Sequence, residues 1–464
     1  MSALPRGWTD ALLGELCDVI RGVTFPATAK ELEKTSNNVC CLRTKNVQRE
    51  LDWTDVYFIP KAFVKRDDQL VQAGDILMSM ANSYDLVGKV AVARSLPYET
   101  AFGAFLSAVR PTASLHGQYL FHFLRSDFAQ RSLREGSSQT TNIANISVGT
   151  LSTIPVPVPP LAEQKRIADT LDRLLARVDA CRERLDRVPA ILTRFRQSVL
   201  AAATSGELTR EWREERGRRL DDWTTSTVGQ TIGRVEAGLN VQCEERPPTE
   251  GERGLVKISA VTWGTYDDDE SKTLPRTAGV PEHARIRLGD FLISRANTLD
   301  LVGACVIVHR VTRVVFLSDK VLRLVMPDEL KPWLLIALQA PAGRREIEAR
   351  ASGNQLSMRN LSQANLREIP IPVPPADERA EIVRRVTTLL DAAVALGKRQ
   401  LASATSLRLL APAILAKAFR GELVPQNPND EPAAALLARV RSEARLPRAT
   451  PIARSPRRGR RRTR

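Results

Sequence analysis

Apolar residues recur in steps of four and three at Ile167, Leu171, Leu174, Val178, Cys181, Leu185, Val188, Leu192, Phe195 and Val199. A stripe of this period, held for more than four heptads, predicts a helix with one apolar seam, and 33 residues at 1.5 Å each would span roughly 50 Å. Pro189 lies inside the stripe and predicts a kink or a break there, because proline removes one helical N–H and crowds the preceding turn. A second stripe runs through Ile382, Val386, Leu389, Ala393 and Leu396, is interrupted by Gln400 and Ser403, and resumes at Leu407, Leu410 and Ile414. Exposed stripes of this length are costly, so the two helices either pack on each other, the simpler solution, or each packs on its own globular neighbour.

The residues before each stripe have a different pattern. Short β-type runs such as 90–93 and 304–308 alternate with Gly, Pro and Asp turns, and helical stretches such as 117–134 intervene, which reads as a mixed α/β domain. IPVPVPP at 154–160 and IPIPVPP at 369–375 then forbid helix and a central strand, leaving an edge strand or an extended connector. These two segments belong to a duplication with a constant offset of 215. Trp8 recurs as Trp223, Gly14 as Gly229, Gly74-Asp75 as Gly289-Asp290, Asn82 as Asn297, and DLVG at 85–88 as DLVG at 300–303. Glu163 recurs as Glu378, Ile167 as Ile382, and GEL at 206–208 as GEL at 421–423. An offset that never drifts means two copies of one unit of about 200 residues.

Length and charge refine this picture. The 464 residues exclude a single small domain, and 43% hydrophobic with 26% charged residues is a globular composition. No uninterrupted apolar run reaches the ~20 residues of a membrane span and the N-terminus lacks a signal-peptide pattern, so a cytoplasmic protein without a membrane partner is expected. The net charge of +15 points to nucleic acid, but eight Arg and no acid lie in 446–464 alone, while residues 1–160 amount to +1 and residues 216–373 to +2. Six cysteines show no CxxC spacing and four histidines are not repeated between the copies, so no metal site is expected. Phosphate-binding, zinc-protease, nucleophile-elbow and dinucleotide motifs are all missing, and no catalytic residue is proposed. Two related modules joined by a long helical spacer suit a ligand with two related sites at a fixed distance, as duplex DNA offers.

The GDxLxSxAN…DLVG signature, the IPxPVPP segment leading into ExxxI and a heptad helix, the GEL ending and the duplicated layout together resemble the specificity subunit of Type I restriction-modification enzymes. The resemblance covers about residues 4–424. It implies an α+β protein with two mixed α/β target recognition domains, separated by two long helices in an antiparallel coiled coil, with a pseudo-twofold internal repeat. The expected layout is a first recognition domain at 1–160, a helical region at 161–205, a linker at 206–222, a second recognition domain at 223–375, a distal helical region at 376–424 and a basic, disordered tail at 425–464. It further implies a non-catalytic, sequence-specific DNA-binding subunit that reads a bipartite double-stranded DNA site. Two methyltransferase subunits and the restriction (translocase-nuclease) subunits would dock on it, and S-adenosylmethionine, ATP and magnesium would belong to those partners, with no cofactor in this chain. A self-sufficient DNA-modifying enzyme and a protein scaffold that never touches DNA are the rival readings.

The candidate DNA contacts fall in three groups. The turn Ser294-Arg295-Ala296-Asn297-Thr298 matches the family's SRAN turn, and its counterpart with Asn82-Ser83 departs from it at Met80, where the second copy has Arg295; a scaffold role is the alternative for both. The polar loops carry Ser138, Gln139, Thr140, Thr141 and Asn142 in the first copy and Asn354 and Gln355 in the second. Arg43, Lys45 and Asn46, with Lys257 in the related segment, form the third group, with a solvated face as its bland alternative.

Overall fold

The computed structural model describes residues 4–139, 143–355 and 358–444, with the backbone alone at 354–355 and 443–444. By internal contacts the described chain divides into two units, one of residues 4–184 with 403–444 and the other Leu185–Ala402. Each unit holds one α/β module and parts of both long helices.

In the first unit a four-stranded antiparallel sheet has the order Cys17–Arg21, Leu106–Pro111, Ile76–Ser79, Val90–Val92. A three-stranded sheet places Asn38–Leu42 between Tyr57–Pro60, antiparallel, and Thr100–Phe102, parallel. The second unit repeats both: Arg234–Glu236, Val321–Val325, Phe291–Ser294, Cys305–Ile307 in one sheet, and Ser271–Thr273, Gly254–Val256, Val315–Phe316 in the other. The duplication in the sequence is thus a duplication of strand order. Each proline segment is half of a two-stranded sheet, Pro155–Val158 against Thr9–Leu12 and Pro370–Val373 against Thr224–Thr227. A two-stranded ribbon has only edges, which is where a strand lacking alternate N–H donors can sit.

Repeated residues prove to be joined. The Trp8 indole N–H donates to Glu163 Oε1 at 3.1 Å, and the Trp223 indole donates to Glu378 Oε2 at 2.9 Å, both carboxylates being buried. These bonds tie the first strand of each module to the first turn of the helix that follows it. Asp75 is gripped at both oxygens by Arg110 at 2.7 Å, and Asp290 pairs with Arg323 at 2.7 Å. The glycines that close DLVG have positive φ, +81° at Gly88 and +73° at Gly303, and a Cβ on Gly303 would lie 2.6 Å from Ile347. Both the backbone conformation and the space demand glycine there.

The long helices are Leu161–Thr204 and Ala376–Phe419, 44 residues each and offset by 215 at both ends. In the first unit Ile167, Ala168, Leu171 and Leu175 share a core with Leu415 and Ala418; in the second, Val199, Leu200 and Ala203 share one with Ile382 and Val386. In each unit, residues near the start of one helix meet residues near the end of the other, so the pairing is antiparallel. By length and composition the second helix could cross a membrane, yet both its ends are built into these protein cores.

Three expectations need correction. Pro189 neither breaks nor splits its helix, which continues from Leu161 to Thr204. Proline at 189 deprives the Leu185 carbonyl of its helical donor, and the Gln400 side-chain amide donates to that same carbonyl at 3.1 Å. Leu185 and Gln400 are equivalent positions of the repeat, so the polar interruption of the second seam answers the proline in the first. Gln400→Leu is expected to cost about 1 kcal/mol, the net worth of one such bond, and to speed amide exchange around 186–192. Unchanged exchange in that stretch would show that water serves the carbonyl equally well.

The seam itself is also narrower than its spacing implied. Ile167, Leu171, Val178, Val199, Ile382 and Val386 are buried, whereas Leu174, Leu185, Val188, Leu192, Leu389, Ala393, Leu407 and Ile414 are half-buried. Cys181, Phe195, Leu396 and Leu410 are exposed, and Leu175 is buried in preference to Leu174. A straight helix drifts ~20° per heptad, so a strict 4-3 stripe leaves the interface unless the pair supercoils.

The linker expected at 206–222 contains the short helices Glu207–Thr209, Arg210–Glu214 and Leu220–Asp222. The tail expected to be disordered from 425 contains the helix Ala433–Ala444, whose Ala433 and Leu437 enter the first unit's core. Residues 445–464, with the arginine run, lie outside the described residues.

Candidate nucleic-acid interface

Each module carries a small fourth sheet that unites two of the three candidate groups. In the first, Ala81–Asn82 pairs with Ala144–Asn145, which pairs with Ser138–Gln139. In the second, Ala296–Asn297 pairs with Met358–Asn360, which pairs with Ser352–Gln355. The signature turn and the polar hairpin are therefore neighbours in space although about 60 residues apart in sequence. Ser138 and Gln139 are exposed, as is Ser83. Thr140, Thr141 and Asn142 lie outside the described residues, and the side chains of Asn354 and Gln355 are likewise not described.

The backbone frame around each turn is the same. Met80 N–H donates to the Phe105 carbonyl at 2.9 Å, and the Met80 carbonyl accepts from Ile146 N–H at 2.8 Å. Arg295 N–H donates to the Lys320 carbonyl at 2.9 Å, and its carbonyl accepts from Leu361 N–H at 2.7 Å. Asn82 Oδ1 accepts the Ser83 N–H at 2.9 Å and Asn297 Oδ1 accepts the Thr298 N–H at 2.8 Å. The carboxamide oxygen thus shapes the turn, leaving Nδ2, which touches Ser79 at 3.3 Å in one copy and Thr262 at 3.5 Å in the other. Arg295 and Thr298 are half-buried, and no carboxylate pairs with Arg295 among the described residues. Arg359, opposite Asn297 in the sheet, donates to the Gly353 carbonyl at 2.8 Å and bends the guanidinium into the hairpin.

The third group divides. Lys45 is exposed and Arg43 half-buried, and both are paired with Asp55, the guanidinium of Arg43 also lying 4.8 Å from the Tyr57 ring centre. Asn46 is fully buried: its Oδ1 accepts Arg43 N–H at 2.9 Å, and its Nδ2 donates to the carbonyls of Asp52 and Asp55 at 2.9 and 3.0 Å. All its polar atoms are spent on the loop, so Asn46 is a structural residue and not a contact. The loop itself reaches the signature region through Lys89, whose ammonium donates to Gln48 at 2.9 Å. Lys257 is half-buried just before the helix Ser259–Thr262, the element that supplies Thr262 to Asn297.

Pattern reading overlooked the exposed apolar residues here. Phe105, Tyr84, Leu86 and Ile143 are exposed around the first turn, and Met358 and Trp263 around the second. Among the described residues no group of His, Cys, Asp and Glu could hold a metal ion.

Each unit thus carries one copy of an α/β module with a polar rim beside parts of the two paired long helices. Comparison with known proteins identifies the class. Residues 5–190 match the family model described as the Type I restriction modification DNA specificity domain. The chain is 32% identical to the EcoKI specificity subunit of Escherichia coli K12, over 95% of its own length and 96% of that protein's. It is also 32% identical to the StySPI specificity subunit of Salmonella potsdam, with the same coverage. Its fold resembles that of the HsdS subunit of Thermoanaerobacter tengcongensis, with a TM-score of 0.59 at 20% identity over 90% of this chain and 98% of that one. The chain belongs to the specificity subunits of Type I restriction enzymes. It is the DNA sequence-recognition component of such a system and not its catalyst.

Proposed function

We propose that the two modules read the two halves of a bipartite, asymmetric DNA site and that the paired helices set the distance between the halves. The observation that carries this reading is the duplicated turn-and-hairpin sheet, one per module on the same backbone frame but with different side chains. Equivalent frames favour the same mode of approach to DNA, and different side chains favour different half-sites. Small hydroxyl and amide groups on the hairpins, with Asn82, Asn297 and Arg295 at the turns, suit contacts to phosphates and base edges.

In this reading the helices also dock two methyltransferase subunits, and the restriction subunits join that assembly in the cytoplasm. Ile191, Phe195, Val394, Leu396, Leu401, Leu409 and Leu410 support it, being exposed apolar side chains on the stretches of the two helices that no core covers. S-adenosylmethionine, ATP and magnesium would then act in the partners. Methylome sequencing of a host carrying the chain with its partners is expected to give adenine methylation in a split, asymmetric motif. A continuous motif would overturn the proposal.

A further inference from the structure

The inference concerns how the first module meets its half-site, and it rests on the DNA reading above. Phe105 is 66% exposed, yet it is not on a slack loop. Its carbonyl accepts the Met80 N–H, Leu106 N–H donates to the Gly103 carbonyl at 2.8 Å, and Gly103 N–H donates to Leu42 at 2.9 Å. The ring is therefore held in water by a rigid frame, beside the turn that bears Asn82 and Ser83. Tyr84, Leu86 and Ile143, each 43–49% exposed, continue the apolar surface along the turn and the polar hairpin. In the second module the same frame position is Lys320, an exposed cation whose ammonium lies 2.9 Å from Asp319. Its turn carries Arg295 where the first module has the buried Met80.

We propose that Phe105 is a specificity-determining residue of the first module, an apolar wedge set against base pairs of its half-site, while Lys320 makes a cationic contact at the equivalent place in the other half-site. A rigid aromatic ring can cover a thymine methyl or enter an opened base step, neither of which attracts it to phosphate. An ammonium finds phosphate or a guanine edge instead, and its contact releases counterions. Duplex DNA is the occupant favoured here because the apolar surface is continuous with Ser138, Gln139 and Asn82, polar groups suited to nucleic acid. A protein partner would leave these groups to be desolvated at its rim.

The test measures duplex binding by the chain assembled with its methyltransferase subunits, for Phe105→Ala and Lys320→Ala, across a salt series, together with the methylated motif in cells. Phe105→Ala is expected to weaken cognate binding on the order of tenfold with an unchanged salt slope, and to relax bases in one half of the motif only. Lys320→Ala is expected to lower the salt slope by about one. Phe105→Leu, which keeps an apolar group, should retain most of the affinity. The other half-site is the internal reference, because a misfolded chain loses both halves. Cognate affinity and motif unchanged by Phe105→Ala, in a complex that still reads a split site, would overturn the wedge. So would a fall in salt slope matching that of Lys320→Ala. A wild-type complex with no split motif would instead overturn the underlying DNA reading.

Discussion

Glu378→Gln is expected to destabilise the second unit by about 3–5 kcal/mol, the usual cost of removing one partner from a buried ion pair. Glu378 is fully buried and accepts from Arg213 at 2.6 Å, Thr209 at 2.7 Å and Trp223 at 2.9 Å, and the Arg213 side chain is only 7% exposed. Glutamine keeps the size and the acceptor for Trp223 but leaves the Arg213 charge buried and unanswered. The equivalent change in the first module is expected to be neutral or stabilising. Glu163 accepts from Trp8, but the position equivalent to Arg213 is Pro428, and the neighbouring Arg166 is engaged with Asp430 at 2.6 Å. Burial raises the Glu163 carboxyl above its ordinary value, against the smaller opposing effects of the Trp8 bond and Arg166.

An acid whose folded pKa is raised holds its proton more tightly in the folded state. Stability from this group is therefore fullest below the ordinary glutamate value of about 4.3 and falls as pH rises from there through the raised folded value. Glu163→Gln removes that penalty, so at pH 7 it should be neutral or stabilising and should flatten the pH dependence of unfolding between pH 4 and 7. Thermal unfolding of both variants across that range checks the pair. Equal losses from the two substitutions would show that Glu163 has a cation partner equivalent to Arg213.

Asp75→Ala should be the second large effect, a loss of about 3 kcal/mol. Asp75 is 2% exposed, is held at both oxygens by Arg110 at 2.7 Å, and accepts the Gln72 N–H at 2.8 Å. Alanine strands a half-buried guanidinium and a loop N–H together. Asp290→Ala should cost less, because Arg323 keeps a second carboxylate, Glu236, at 2.8 Å. Chemical denaturation of the two variants gives the order, and a larger loss at Asp290 than at Asp75 would reverse the argument.

Much of the architecture was legible because it is written twice. Trp8, Asp75, Gly88 and Glu163 each recur at the same offset, and each has a structural bond or a backbone constraint that demands that residue type. What one position needs in one module it needs in the other. Which repeated residues touch was not legible: nothing in the spacing of Trp8 and Glu163 points to a bond across 155 residues. The helical stripes located the seam, but burial depends on what covers it, so Phe195 and Leu396 fit the heptad and still face outward. The split expected at Pro189 does not occur, and the partner of the carbonyl it frees, Gln400, lies on another helix 211 positions away.

The candidate interface was legible in its polar residues and not in its apolar ones. Asn82 was found through the repeated signature turn and Ser138 through the composition of its loop, and the small sheet joins them. Asn46 is the same residue type and is buried, its amide spent on closing a loop, a role that its sequence surroundings do not distinguish from an exposed one. Phe105 was passed over because an aromatic next to a strand ordinarily belongs to a core, and only its exposure sets it apart.

The central claim is that each module reads one half of a split site, and exchange of residues 216–373 for the corresponding module of another specificity subunit tests it most directly. Methylome sequencing of hosts carrying the wild-type and exchanged chains with their partners is expected to show a split motif in which one half is replaced and the other half is retained. A continuous motif, or a motif left unchanged by the exchange, would contradict it.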